Sequence, residues 1–351
     1  MSPLIVEVLG TAVGIAAPVP IRAELRRLLA DLQPAAQPDR ELALTPSDHG
    51  LDLWDAGQLV HTGVDPDLAV ATIVWRLNVI AAESREYVVL HGAAVAGPRG
   101  AGVLLVGGSG AGKSTLAEAC VDAGLAYLSD ELAAIDPRTG LLAPYAKPIG
   151  LGRERLVPAS ALGTVAASAT PAALVFPRYQ PGSDTRMVQL DHCWALAALA
   201  AHAINLAALR GTALTWLAGL ALACPAYQLA HGDARGAVAM VEQLASDRAR
   251  PLEPAAVTDP VTTATTAVAL GESLAVLHEP SGRVHILNTG AAAVWRHAVA
   301  AAGGCRTSSL IDAGVDTSNS DGGAWPAAAT TADHLERLDL LPGGSWHGSG
   351  V

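Results

Sequence analysis

The residues Gly107-x-x-x-x-Gly112-Lys113-Ser114 have the types and spacing of a phosphate loop. The apolar run 103–106 ahead of them predicts a buried strand. The run 115–123 behind them predicts a helix, stopped at Gly124. Strand, glycine-rich loop and helix in that order are the context the motif requires. Glycines without Cβ atoms let backbone N–H groups converge on phosphate oxygens, and the helix N-terminus adds its positive dipole end. In this reading Gly107, Gly108, Ser109, Gly110, Ala111, Gly112, Lys113, Ser114 and Thr115 cradle a nucleoside triphosphate, ATP or GTP. Lys113 reaches the β- and γ-phosphates, and the Ser114 hydroxyl reaches Mg²⁺.

Two further groups stand near the motif in sequence. Asp130-Glu131 follows a short strand expected over 125–128, and His91-Gly92 ends a strand expected over 87–90. Carboxylates at the C-terminal end of a strand in a parallel sheet face the same crevice as a phosphate loop. One can hold Mg²⁺ while the other accepts a proton from an attacking hydroxyl. On position alone the two acids serve equally well as solvated turn carboxylates, and His91 as a loop or core histidine.

The elements that must position these groups follow from pattern. The stretch 1–90 is a mixed cap: a strand at 4–9, an amphipathic helix at 21–32, a strand at 51–54 and a helix at about 67–83. After the acidic pair come strands at 132–135, 141–145 and 174–176, helices at 193–210 and 214–222, a strand at 227–230 and a helix at 234–245. Charge and proline at 246–254 break the pattern, so 249–262 reads as a linker. Beyond it, strands at 268–270, 274–277 and 284–287 precede a helix at 291–299 capped by Asn288. A short helix is expected at 331–338, and the tail 343–351 reads as disordered.

The chain has 351 residues, enough for two or three domains, and a net charge of -11. That charge argues against nucleic acid and anionic lipid as partners. The most apolar region, 194–230, is interrupted by His202, Asn205, Arg210 and Pro225. No uninterrupted apolar run within it reaches the about 18–20 residues a membrane span needs. The first residues lack the basic start and apolar core of a signal peptide. Cys120, Cys193, Cys224 and Cys305 show no metal-ligand spacing, which fits reduced thiols and a cytoplasmic location.

His91-Gly, then the phosphate loop, then Ser129-Asp130-Glu131 resembles the catalytic core of the HPr kinase/phosphorylase-like family. The resemblance implies an α/β fold, ATP and Mg²⁺, and phosphorylation of a serine hydroxyl. It makes Asp130 the base, Lys113 the γ-phosphate clamp, Ser114 and Glu131 the Mg²⁺ neighbours, and His91 a site residue. Glu131 stands where the family has a second Asp. Segments 146–150, 175–179 and 227–233 resemble HPr-kinase-related kinases of peptide-modification clusters, which makes Lys147, Arg153 and Arg178 candidates for phosphate or peptide contacts. The resemblance covers roughly 1–245, so 1–248 is taken as the kinase domain.

Residues 273–295 resemble the PqqD-like family, which pairs a three-stranded sheet with a small helical bundle. This implies an α+β, winged-helix-like domain over 263–342 that binds the leader of a ribosomally made precursor peptide by strand addition. Together the resemblances imply a kinase of such a peptide. The alternatives are an ATP-hydrolysing chaperone that presents the peptide to a partner enzyme, and a kinase of HPr or of a small hydroxyl compound. Whether copies associate into a homo-oligomer is left open by the sequence.

Overall fold

The structure is a computed structural model that describes residues 4–151, 155–247, 249–258 and 264–302, with Leu335 and Leu338. It is a mixed α/β chain with several sheets, and it divides into two compact units. The first comprises Met1–Leu190, Ala201–Asn205 and Ala223–Leu252. The second comprises Asp191–Ala200, Leu206–Leu222 and Glu253–Val351.

The first unit opens with strands β1 (Leu4–Val8), β2 (Thr11–Ala16), β3 (Arg40–Ser47), β4 (Gly50–Asp55) and β5 (Gln58–Val64), in that spatial order. Helices α1 (Val19–Leu28) and α2 (Ala69–Ala82) accompany this sheet. Its core joins Val13, Ile15, Leu42 and Leu53 to Leu25, Ile73 and Leu77, all buried. Alternation along β4 (Leu51, Leu53 and Asp55 in, the residues between them half out) shows a sheet with one covered face. Sequence pattern anticipates β1, β4 and both helices. It misses β2, β3 and β5: β5 is exposed at every position but Val64, whereas β2 and β3 bury Val13, Ile15, Leu42 and Leu44 in runs too short to stand out.

The second sheet carries the glycine-rich loop 107–112. It contains β6 (Val88–Ala96), β7 (Ala101–Val106), β8 (Ala126–Ser129), β9 (Leu132–Asp136), β10 (Leu141–Ala143), β13 (Thr170–Tyr179), β14 (Arg186–Leu190) and β15 (Ala226–His231). A separate pair, β11 (Ile149–Leu151) with β12 (Arg155–Val157), lies between β10 and β13 in the chain. The spatial order is β10-β9-β6-β7-β13-β15-β14, with β8 also on β6. The sheet is mixed. β6 runs antiparallel to β7, β8 and β9, while β13 is parallel to both β7 and β15. Two antiparallel steps across β6 restore direction, so β8 still ends on the same side as β7. Helices α3 (Lys113–Asp122) and α7 (Ala234–Ser246) pack on one face with Leu116, Cys120, Val121 and Val241 buried against Val103, Leu105 and Val175. Burial pushes the Cys120 thiol up to about 12, so it behaves as an apolar side chain.

β13 runs through Pro177, two residues beyond the last pair it makes with β7, so the missing N–H costs no ladder bond on that side. The helix expected over 193–210 is divided into α4 (His192–His202) and α5 (Leu206–Leu209). The division falls where Asn205, 4% exposed, turns its amide to the backbone. Its Oδ1 accepts from Val89 N at 3.0 Å, and its Nδ2 donates to Ser84 O and Tyr87 O at 2.7 Å each. Asn205 thus fixes the start of β6.

The second unit contains most of α4, α5 and α6 (Gly211–Ala223), with β16 (Thr265–Leu270), β17 (Ser273–His278), β18 (Arg283–Leu287) and α8 (Thr289–Ala302). The three strands form an antiparallel meander. Asn288 caps α8, its Oδ1 accepting from Ala291 N at 3.0 Å. Trp295 is fully buried among Leu274, Val276, Ala298 and Leu335. Part of the expected linker is tied down within this unit: Ala255 N donates to Thr215 O at 2.9 Å, and Val257 bridges to Val268. The expected helix at 331–338, apart from Leu335 and Leu338, and the tail lie outside the described residues, as does Cys305. Cys120, Cys193 and Cys224 are free thiols. Among the described residues no helix is long and apolar enough to cross a membrane.

Candidate active site

A register break places the chemistry. β8 and β9 pair in turn along one edge of β6, with Ala94 opposite Ser129 and His91 opposite Leu132. Asp130 and Glu131 fill the gap, thrown out of the ladder, while Gly92 N donates to Glu131 O at 3.0 Å. On its other edge, β6 sets Gly92 opposite Val106, the last residue before the phosphate loop. His91, the loop and the acidic pair therefore share one level of the sheet. His91 lies within β6 rather than at its end, because the ladder to β7 carries the strand on to Ala96.

The groups line a cleft of about 590 Å³ that includes His91, Ser109, Lys113, Ser114, Asp130, Glu131, Tyr179 and His231. Gly112 sits at φ +90°, a left-handed turn directly ahead of α3. A Cβ there would stand 3.2 Å from His231 Nε2 and 3.3 Å from Tyr179 Cβ. Lys113 is buried, with Nζ donating to Gly108 O at 2.9 Å and 3.4 Å from His91 Nε2. Burial lowers the Lys113 ammonium from its ordinary range, opposed by the charge of Glu131. Burial, then the Lys113 charge, then His202, lowers His91. The His91 and His202 rings meet edge to face at 6.3 Å.

Asp130 is held by two donors on one oxygen. Tyr127 OH donates to Oδ1 at 2.8 Å, and Lys147 Nζ lies 3.0 Å from the same atom. Oδ2 has no hydrogen-bond partner among the described residues. Lys147 also reaches Glu131 Oε2 at 3.3 Å, and Asn78 Nδ2 donates to that oxygen at 2.9 Å. Tyr145 OH donates to Asn78 Oδ1 at 3.0 Å. Ser114 Oγ donates to the Asp130 carbonyl oxygen at 3.0 Å, tying the loop helix to the acidic turn.

The structure brings Lys113, Ser114, His91, Asp130 and Glu131 together. Lys147 is buried and engaged with both carboxylates, so its charge is answered within the protein. Arg178 is exposed on β13, and Arg153 lies outside the described residues. The Ser114 hydroxyl and the Glu131 carboxylate are oxygen donors, which suit a hard cation that keeps waters and substrate phosphates as its other ligands. Among the described residues no cluster of three His, Cys, Asp or Glu side chains is arranged to hold a metal by itself.

No family model matches the chain, and no curated protein matches it. Among solved structures, the Hpr(Ser) kinase/phosphatase from Coxiella burnetii matches 44% of this chain and 92% of its own, at 13% identity and a TM-score of 0.26. A TM-score that low carries no argument about fold or activity, so the site rests on its own geometry.

Sequence reasoning missed Tyr127, Asn78, Tyr145 and His202. Asn78, Tyr145 and His202 are far in sequence from what they touch, and Tyr127, three residues from Asp130, lies in an apolar strand segment that gives no signal of a partner. His231 was visible only as part of the segment 227–233. What singles it out is its place at the end of β15, opposite Tyr179 in the ladder.

Proposed function

We propose that this chain is an ATP-dependent kinase that transfers a γ-phosphoryl group to a serine hydroxyl of a ribosomally made precursor peptide, in the cytoplasm where ATP is kept. The observation that carries the reading is the Asp130 carboxylate. One oxygen is fixed by Tyr127 and Lys147 while the other is left to accept a proton, on the same cleft as Lys113 and Ser114. A proton acceptor beside a phosphate loop is what transfer to an alcohol needs and what a simple switch does not.

The hydroxyl oxygen forms a bond to the γ-phosphorus as the bond to the departing ADP oxygen breaks, and the hydroxyl proton goes to Asp130 Oδ2. Lys113 and the loop amides hold the phosphates and answer their charge. Ser114 and Glu131 would hold Mg²⁺, which when bound neutralises charge on the β- and γ-oxygens. His91 keeps the Lys113 ammonium in place from the β6 side. GTP fits the same loop. The peptide substrate, and leader binding by 263–342, rest on the sequence pattern of 273–295; the meander and α8 offer strand edges of the kind that recognition uses.

The test is to incubate the full chain with MgATP and a serine-containing precursor peptide and weigh the peptide. A gain of one phosphate (~80 Da) is expected, because the phosphoryl goes to the alcohol rather than to water. ATP consumption with no mass change on the peptide overturns the kinase reading and favours a chaperone. Asp130→Asn keeps the Oδ1 acceptor for Tyr127, so it is expected to bind ATP normally while transfer falls by about 10²- to 10⁴-fold.

A further inference from the structure

His231 closes β15 at the back of the cleft, and the reaction above gives it no role. Its side chain is 1% exposed, and neither ring nitrogen has a hydrogen-bond partner among the described residues. Buried polar groups without partners are rare, because nothing offsets the loss of water. The backbone and a neighbouring ring hold the His231 ring in place. His231 O accepts from Gln180 N at 2.9 Å, and the Tyr179 ring covers it at 5.7 Å between centroids. The edge that carries Cε1 and Nε2 faces the phosphate loop, each atom 3.2 Å from where a Gly112 Cβ would stand. Asp233, the nearest acid in sequence, is engaged in capping α7 through Arg235 N at 3.2 Å.

We propose that His231 is a ligand of the polyphosphate chain, donating from Nε2 to a phosphate oxygen of the nucleotide seated on residues 107–114. The proposal rests on the reading of that loop as a triphosphate site. In a phosphate loop the amides around Gly112 point at the anion, so a ring edge against Gly112 borders the same volume. A phosphate oxygen accepts hydrogen bonds, and an imidazole with its proton on Nε2 supplies one. Burial lowers His231 below its ordinary range, opposed by the backbone and the charge of Asp233, whose backbone lies near the ring without meeting hydrogen-bond geometry. The arrangement also gives a second reason for glycine at 112: a side chain there would fill the gap between the loop and the ring.

The experiment is calorimetric titration of the full chain with inorganic tripolyphosphate and, separately, MgATP. The unaltered protein, His231→Leu, His231→Gln and Lys113→Ala are compared. Loss of one hydrogen bond to a charged oxygen is expected to weaken both ligands about tenfold in His231→Leu. His231→Gln, which keeps an N–H donor, is expected to recover part of that loss. In the unaltered protein labelled with ¹⁵N-histidine, the His231 Nε2 resonance is expected to move on addition of tripolyphosphate. That measurement stands even if a variant does not fold.

An unmoved resonance, or equal tripolyphosphate affinity in His231→Leu and the unaltered chain, overturns the proposal. A loss confined to ATP puts His231 on the base or ribose and overturns it as well. If the unaltered chain binds neither ligand, or Lys113→Ala binds both as well as it does, the triphosphate reading itself fails and the proposal falls with it.

Discussion

Replacing Lys147 by methionine tests the electrostatic design of the site without a substrate. Lys147 is 7% exposed and lies 3.0 Å from Asp130 Oδ1 and 3.3 Å from Glu131 Oε2. The two contacts differ in worth, because the Asp130 side chain is 13% exposed and that of Glu131 46%. Removing one partner of a buried pair strands the other charge, at a cost of about 3 kcal/mol for the Asp130 half, the low end of the usual range. The Glu131 half is open to water and keeps its bond from Asn78, so it adds at most about 1 kcal/mol. The expected loss is therefore about 3–4 kcal/mol, on the order of 10 °C in the melting midpoint of a unit this size. Methionine approximates the lysine stem in volume, so little of the loss comes from packing.

Urea unfolding of the chain, followed by far-ultraviolet circular dichroism, measures the change. Asp130→Asn in the Lys147→Met background removes the stranded charge and keeps the acceptor for Tyr127, so about 2 kcal/mol is expected to return. A loss below about 1 kcal/mol in the single variant, or no recovery in the double variant, refutes the view that Lys147 is the counter-ion of the acidic turn.

Gly112→Ala forces a side chain into a left-handed backbone and against His231 and Tyr179. A cost of about 1–2 kcal/mol in stability is expected, together with weaker triphosphate binding, readable by melting with and without ATP. Asn205→Ala removes three buried bonds to the backbone ahead of and within β6. Unfolding measurements are expected to show a loss of about 2–4 kcal/mol; a change within about 0.5 kcal/mol would mean that water replaces the amide. His91, His202 and His231 all have their folded-state values lowered, chiefly by burial. Below about pH 6.5 the unfolded chain binds protons that the folded chain refuses, so stability is complete above that pH and falls as pH drops through it. Melting midpoints recorded from about pH 7.5 to about 5.5 should fall, and should fall less in His231→Gln; a flat profile contradicts the burial of these rings.

The phosphate loop is legible from eight residues because its chemistry is local: glycines free the backbone, a strand delivers it and a helix receives it. Strand β7 and helix α3 stand where the pattern puts them, and so do β16, β17, β18 and α8, whose hairpin turn and Asn288 cap are local signals too. The strands β2, β3, β5, β11, β12 and β14 escaped notice. β14 alternates weakly and is largely exposed, and it becomes a strand through its register with β15.

Sequence alone determined that a glycine-rich loop with phosphate-loop spacing, an acidic pair and a histidine exist, and that each adjoins a strand. Tertiary structure decided that they meet. The chain breaks its pairing with β6 at Asp130-Glu131, so the carboxylates leave the ladder at the level of Gly92 and Val106. It also decided that Lys147, read from sequence as a candidate for phosphate or peptide contacts, is committed to those carboxylates, and that the His231 ring nitrogens have no hydrogen-bond partner among the described residues behind the loop. The physical reason is the same in each case. Backbone preferences are set by near neighbours, but the charge and hydrogen-bond partners of a buried side chain come from residues that only the folded sheet brings within about 3 Å.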